Sequence, residues 1–471
     1  MQESKRPFDG RLLMLGCGSI GQGVLPLLFK HLDITPDRVS ILAADSAGAK
    51  VAAEQGVSLT EATLTKENYV ELVGSRLQPG DFLLNLSVDV SSLDLVALAA
   101  ERGALYLDTC IEPWLGGYVD MHLSISERSN YGLWMSSKAL KESLGAGAPT
   151  AVITHGANPG LVSHFVKQAL LNLAGDLGRD ATPPADRAGW AALARDLGIK
   201  VIHIAERDTQ VASVPKQVGE FVNTWSIDGF IGEGLQPAEL GWGTHERHFP
   251  EDGRRHESGP DSAIYLMRPG CSQRVRTWTP IEGPLHGFLI THGESISLAN
   301  YLTVEEGGQA VYRPTVHYAY HPADDAVLSM HELNGKNGEA QPAKRLLMDE
   351  IVSGIDELGV LLCGHEKGAY WYGSQLSIEE ARRLVPHNNA TSLQVTAPVM
   401  AGIIWAMENP ACGITDPEEM DFARVLELCR PYLGPVVGAY SDWTPLTDRE
   451  RLFPEDLDRD DPWQFKNVRV I

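Results

Sequence analysis

The run Gly16-Cys17-Gly18-Ser19-Ile20-Gly21 places three glycines where a backbone must turn tightly and come close to a pyrophosphate. Gly16 permits the turn, Gly18 leaves room for the phosphates, and Gly21 allows a helix to pack closely on the preceding strand. The N–H groups of the helix start, around Ser19 and Ile20, then face the negative charge. Some 24 residues past Gly21, the apolar run Val39 to Ala44 ends in Asp45, where a carboxylate can accept hydrogen bonds from an adenosine ribose. An acid with no adjacent arginine favours NAD over its 2′-phosphorylated form, although Ser46 and Lys50 leave that choice open.

The elements that must position these residues follow from periodicity. Leu12 to Leu15 is a short apolar strand, and helical and strand-like segments alternate after it as far as Ala151 to Thr154. That alternation predicts an α/β fold: an N-terminal Rossmann domain with a doubly wound parallel sheet. Ligands in such sheets sit beyond the carboxyl ends of the strands. Asn85, Ser87, Asp89, Asp108, Thr109 and Glu112 all fall at such ends and are candidates for the cleft, each also able to act as a cap or turn former. In His155 to Phe165, Asn158 can cap a helix whose first turn suits Pro159 and which runs to about Leu173. The pattern loosens from about Ser136, and Gly178 to Asp186 reads as a surface loop.

Between about Ile199 and Val360 the texture is β-rich, with strands expected at Val201–Ala205, Phe221–Ile227, Arg274–Trp278 and Ala310–Arg313. This predicts a second α+β domain with its own mixed sheet. Gly241 to Pro260 reads as a long loop, and segments 360–364 and 368–373 as a hairpin. Late helices are expected from Asn389 to about Met407 and from Pro417 to Tyr432. The domain division is 1–155 for the nucleotide, 156–388 for substrate and dimerisation, and 389–471 for a C-terminal helical region packed on the other two.

Composition narrows the function classes. The 471 residues carry 62 acidic against 39 basic side chains, a formal charge of −23, which argues against nucleic-acid binding and suits a cationic small molecule. The six cysteines form no Cys-x-x-Cys pair and no paired spacing with histidines, so free thiols are expected, with neither a disulfide frame nor a metal site. The apolar stretch from Leu12 is too short and glycine-broken for a signal or membrane helix, and a cytoplasmic protein without membrane contact is expected.

Beyond the glycine motif, the segments Thr154-His155-Gly156-Ala157-Asn158-Pro159-Gly160, Asn223-Thr224-Trp225-Ser226, Gly232-Glu233-Gly234 and Thr291-His292-Gly293-Glu294 resemble the bacterial homospermidine synthases, relatives of the saccharopine dehydrogenase-like enzymes. The resemblance extends over most of the chain. It implies a tightly held NAD, a homodimer, and condensation of two putrescines to homospermidine with loss of ammonia, spermidine being a further possible substrate. The family's roles carry over to Asp89, Glu112, Asn158, Glu206, Trp225, Glu233 and His292. Asn158 and Pro159 then join Gly16, Gly18, Ser19, Ile20, Gly21, Asp45, Asn85, Ser87 and Thr109 as cofactor contacts.

The side-chain chemistry agrees. A flexible dication needs carboxylates for its ammonium groups and an apolar or aromatic wall. Glu206 follows one predicted strand, Trp225 and Glu233 lie on or near the next, and an indole face attracts an ammonium by about 0.5–2 kcal/mol. His292, in a polar turn, can exchange protons near neutral pH. A saccharopine- or carboxyspermidine-type dehydrogenase, which joins or splits an amino acid and a carbonyl compound, is the alternative. It would need an arginine to clamp a carboxylate, with Arg207, Arg247, Arg254, Arg255, Arg276 and Arg313 available. A third reading is an NAD-sensing binding protein without turnover.

Overall fold

The computed structural model describes residues 5–471. Buried runs of Leu, Val and Ile form the central strands of a seven-stranded sheet, ordered Ile414–Thr415, Ala151–Val152, Leu105–Asp108, Phe82–Asn85, Leu12–Leu15, Val39–Ala43, Ser58–Glu61. Every neighbouring pair is parallel. The order reverses between Leu12–Leu15 and Phe82–Asn85, which opens a crevice beyond their carboxyl ends. The glycine turn lies there. Gly16 has φ +82°, and a Cβ on it would meet Leu86 O at 2.7 Å. Gly21 underlies the turn, since its Cβ would meet Gly16 O at 2.9 Å.

The second sheet has eleven strands and is mixed. Thr315–His321 runs parallel to Val201–Asp208, whose other neighbour, Ile355–His365, is antiparallel and turns back into Gly368–Ser377. The strand Val201–Asp208 is buried along its whole length, so Glu206 lies within it and not after it.

Segment 389–471 supplies strands as well as helices. Ile414–Thr415 extends the nucleotide sheet, while Val436–Ser441 and Arg469–Val470 join the second. The helix Ala390–Glu408 packs on the nucleotide-domain helix Ser19–His31 and on strand Leu105–Asp108, and on its other side against the hairpin of the second sheet. A Cβ at Gly402 would meet Leu107 at 2.6 Å and His155 at 2.8 Å, so this helix approaches the nucleotide sheet as closely as a glycine allows. It is long and apolar enough to cross a membrane, yet 89% of that window is buried inside the protein: it is the core between two sheets.

Several local expectations change. The loosened pattern after Ser136 lies inside a helix, Asn130–Leu144, capped by Ser129 Oγ on Gly132 N; its apolar residues are too sparse for a strong periodic signal. The strand expected over Phe221–Ile227 ends at Asn223, because Ser226 caps a new helix, Ile227–Leu235. Trp225 therefore sits in the connecting turn, and Glu233 on that helix. Asn158 does not cap Leu161–Asp176; Gly160 occupies the cap position and the Asn158 amide points elsewhere. The long segment 241–260 holds one short strand, Gly253–Arg255.

Candidate active site

A cleft forms where the carboxyl ends of the nucleotide strands meet the second sheet. Ile20, Ser87, Thr109, Glu112, Asn158, Pro159, Glu206, Trp225, Glu233 and His292 all line it, although they come from segments scattered over 270 residues of chain. Asp89, next to the lining residue Val88, is exposed on a left-handed backbone of φ 61° and does not itself line the cleft. Burial and the Asp228 carboxylate raise its pKa. Asp45 is exposed at the end of its strand and accepts from Ala47 N at 2.9 Å. Asn85 lies buried beneath the crevice, its oxygen accepting from Ser87 N at 3.2 Å and its amide reaching Tyr106 Oη at 3.2 Å. Tyr106 Oη passes the chain on to Asp108, which holds Thr154 N at 2.7 Å. These groups shape the crevice from below.

Glu206 is the most enclosed acid in the cleft. Asn158 Nδ2 donates to its Oε2 at 2.5 Å, and Tyr318 Oη donates to the same oxygen. Burial pushes its pKa up to about 7 against the pull of both donors. Tyr318 in turn stacks on Tyr320, centroids 5.1 Å apart, and lies against the His292 ring at 4.1 Å. Tyr320 Oη accepts from Trp225 Nε1 at 3.0 Å, which fixes the indole in the cleft wall.

His292 sits at the start of helix Gly293–Tyr301, between two carboxylates. Its Nε2 meets Glu233 at 3.1 Å and its Nδ1 meets Glu294 at 3.2 Å. Burial alone would depress the imidazole, but Glu294 and Glu233 outweigh it and hold the pKa at about 10, so the ring is an imidazolium. Glu112 completes the acidic wall. Burial raises it to about 8; the Cys110 thiol, 3.5 Å away, opposes this, while Asp89 and Glu233 add to it.

Tyr318, Tyr320 and Glu294 escaped the sequence reading. Glu294 stands in the Thr291-His292-Gly293-Glu294 turn; the Tyr-x-Tyr spacing of the strand Thr315–His321 is a one-face signal, but alternation alone does not say which face meets a site. None of the cleft-lining side chains is an arginine or lysine. Arg207, the alternative's nearest clamp in sequence, is spent on the Asp208 and Pro322 carbonyls and on ion pairs to Asp324 and Glu282.

The glycine turn fits a dinucleotide. Space around a Gly18 Cβ is open for 4 Å, and Gly18 at the cap of helix Ser19–His31 supplies no side-chain acceptor, so the first N–H groups remain available to phosphate oxygens. Fold and glycine turn together define a two-domain enzyme of the dinucleotide-dependent class, with an acid-lined cleft between its sheets.

The comparisons sharpen that class. A profile described as the saccharopine dehydrogenase NADP binding domain matches residues 12–152, and one for the saccharopine dehydrogenase C-terminal domain matches 156–440. The chain is 56% identical over 468 residues to the homospermidine synthase of Blastochloris viridis, covering 98% of both chains. It is 52% identical to that of Mesorhizobium japonicum, covering 98% of this chain and 97% of the other. The crystal structure of the Legionella pneumophila homospermidine synthase in complex with NAD matches with a TM-score of 0.93 and 52% identity, covering 99% of each chain. Apo saccharopine dehydrogenase from Saccharomyces cerevisiae, 9% identical with a TM-score of 0.51 over 92% of this chain and all of the other, shares the fold. The chain belongs to the homospermidine synthase family, within the saccharopine dehydrogenase-like enzymes.

Proposed function

We propose that this chain condenses two putrescines to homospermidine with release of ammonia, using NAD without net redox. The observation that carries the reading is the composition of the cleft: Glu112, Glu206 and Glu233 with Trp225 in the wall, and one cation, His292, already neutralised by two carboxylates. A dication is stabilised in such a cleft; the carboxylate of an amino acid is repelled, which disfavours the saccharopine- or carboxyspermidine-type alternative.

Bound NAD supplies hydride chemistry, accepting a hydride from an amine-bearing carbon and returning it later to an imine. The chain's own groups do the rest. Glu206, with a pKa near neutrality, takes a proton from the bound amine and returns it, the balance that general acid–base work requires. Asn158 and Tyr318 orient it. The Trp225 face holds cationic charge developing beside it, worth about 0.5–2 kcal/mol. His292 holds Glu233 in place against a substrate ammonium, and Glu112, raised to about 8, exchanges a proton with the attacking amine. At the glycine turn, Gly16, Gly18, Ser19, Ile20 and Gly21 would hold the pyrophosphate, and Asp45 the ribose. Ser87, Thr109 and Pro159 would flank the nicotinamide.

We further propose a homodimer in the cytoplasm. Leu115, Val119 and Met121, 79%, 71% and 81% exposed, form an apolar stretch that a second copy would cover. The six cysteines are free thiols, as a reducing compartment favours.

Incubating the protein with putrescine and NAD tests the activity: homospermidine and ammonia should appear in equal amounts with no build-up of reduced cofactor. Release of one reduced cofactor per turnover would favour a net dehydrogenase, and retained NAD with no product a binding protein.

A further inference from the structure

Behind the part of the cleft wall formed by Glu112, Glu233 and His292 lies a second chamber, bounded by the same three residues. Its volume is about 40 Å³, against about 110 Å³ for the cleft on the same scale, the space open to the centres of water-sized molecules. The chamber is therefore the smaller of the two adjoining spaces and is roomy enough for a molecule of water's size. Its walls mix polar groups with Ile111, Trp134 and Pro159. Gln236 is buried with its side-chain oxygen lacking a hydrogen-bond partner. Asn130 Nδ2 donates to Thr291 Oγ1 at 2.9 Å, which donates to Glu239 at 2.7 Å. On the far side, Trp134 and Ser297 form the partition from an outer basin of about 790 Å³. Ser297 Oγ donates to buried Glu418 at 3.0 Å, and the other oxygen of that carboxylate has no partner. A buried acceptor left unpaired is costly, and a small donor molecule in the chamber relieves that of Gln236.

We propose that this chamber receives the ammonia expelled in the condensation and passes it out between Trp134 and Ser297. The inference rests on the diamine condensation stated above. In that step the second amine adds its lone pair to the imine carbon, and the π pair moves to the first nitrogen. Two protons pass from the attacking to the leaving nitrogen, the first C–N bond breaks as a new C=N forms, and NH₃ is expelled with no oxidant consumed. At that moment the second diamine fills the cleft. Ammonia remaining there would add back to the new imine in competition with its reduction. A smaller adjoining chamber, offering the unpartnered Gln236 oxygen and sharing Glu233 with the cleft, removes it from that competition.

The test supplies the NAD-loaded enzyme with putrescine and heavy-nitrogen ammonium chloride, and follows label entering putrescine beside homospermidine formation. Ser297→Leu narrows the partition and should cut label entry by about tenfold or more, while the first rise of reduced-nicotinamide absorbance on mixing with putrescine stays within about twofold of wild type. Ser297→Ala, which removes the same hydrogen bond without filling space, should keep wild-type entry. Gln236→Met keeps bulk but loses the acceptor. It should raise the ammonium concentration for half-maximal exchange by about fivefold without moving the putrescine KM, and it decides the matter if Ser297→Leu does not fold. Wild-type label entry in Ser297→Leu, an equal loss in Ser297→Ala, or an unchanged ammonium dependence in Gln236→Met overturns the route. A wild-type enzyme giving neither homospermidine nor reduced nicotinamide would instead remove the condensation itself.

Discussion

The His292 imidazolium and the Trp225 face answer to different physics, and substitutions separate them. For His292 the folded pKa, about 10, lies above the ordinary value of 6.5. The stability its charge contributes is therefore complete below pH 6.5 and is lost as pH rises through 10. His292→Gln should be much less stable than wild type at pH 6, and the gap in melting temperature should narrow steadily towards pH 10. A gap independent of pH would mean a neutral ring. For Trp225, the Nε1 bond to Tyr320 holds the ring while its face does the electrostatic work. Trp225→Phe keeps a weaker quadrupole and Trp225→Leu keeps only bulk, so turnover should fall in the order Trp, Phe, Leu, with a loss of about 2- to 30-fold for Leu from the face alone. Equal turnover of Phe and Leu in stable proteins would reduce Trp225 to a wall.

At the scale of elements, the helix Ala390–Glu408 ties the two sheets to the site through its cap. Asn389 Oδ1 accepts from Ser392 N at 2.7 Å, while its Nδ2 donates to Thr224 O at 2.6 Å and Leu347 O at 2.9 Å. Thr224 directly precedes Trp225. Asn389→Ala removes cap and tether together and should cost at least the roughly 0.5–2 kcal/mol of an N-cap, measured by denaturant unfolding. Asn389→Asp retains the cap acceptor but turns a donor into a second acceptor facing two carbonyls. It should lower turnover at the Trp225 turn by more than its helix stability explains, and a parallel fall of both would make the tether irrelevant.

Over the whole molecule, a formal charge of −23 surrounds an acid-lined cleft. A field of that sign draws a dication from solution and is screened over about 10 Å at 0.1 M salt. Raising inert salt from about 0.05 to 0.5 M should lower kcat/KM for putrescine several-fold while kcat changes little. Salt-independent kcat/KM would confine the electrostatics to contacts inside the cleft.

The glycine turn, the Asp45 strand end, the parallel nucleotide sheet and the hairpin of the second sheet are legible in the chain, because each is specified by neighbours within a few residues: a φ that favours glycine, a buried apolar run, a turn between alternating strands. Trp225, Glu233 and His292 stand in the family's motifs, and the resemblance adds Glu206. What those residues do to one another is a matter of tertiary contacts. Trp225 left its expected strand because the Ser226 cap begins a helix there, and that helix delivers Glu233 to His292. Tyr318 reaches Glu206 across 112 residues of chain, and the raised pKa values of Glu206 and Glu112 come from burial between two sheets that no local pattern encodes. Periodicity records which face of an element is apolar; which faces meet, and which charges are thereby taken from water, is fixed only when the helix Ala390–Glu408 brings the sheets together.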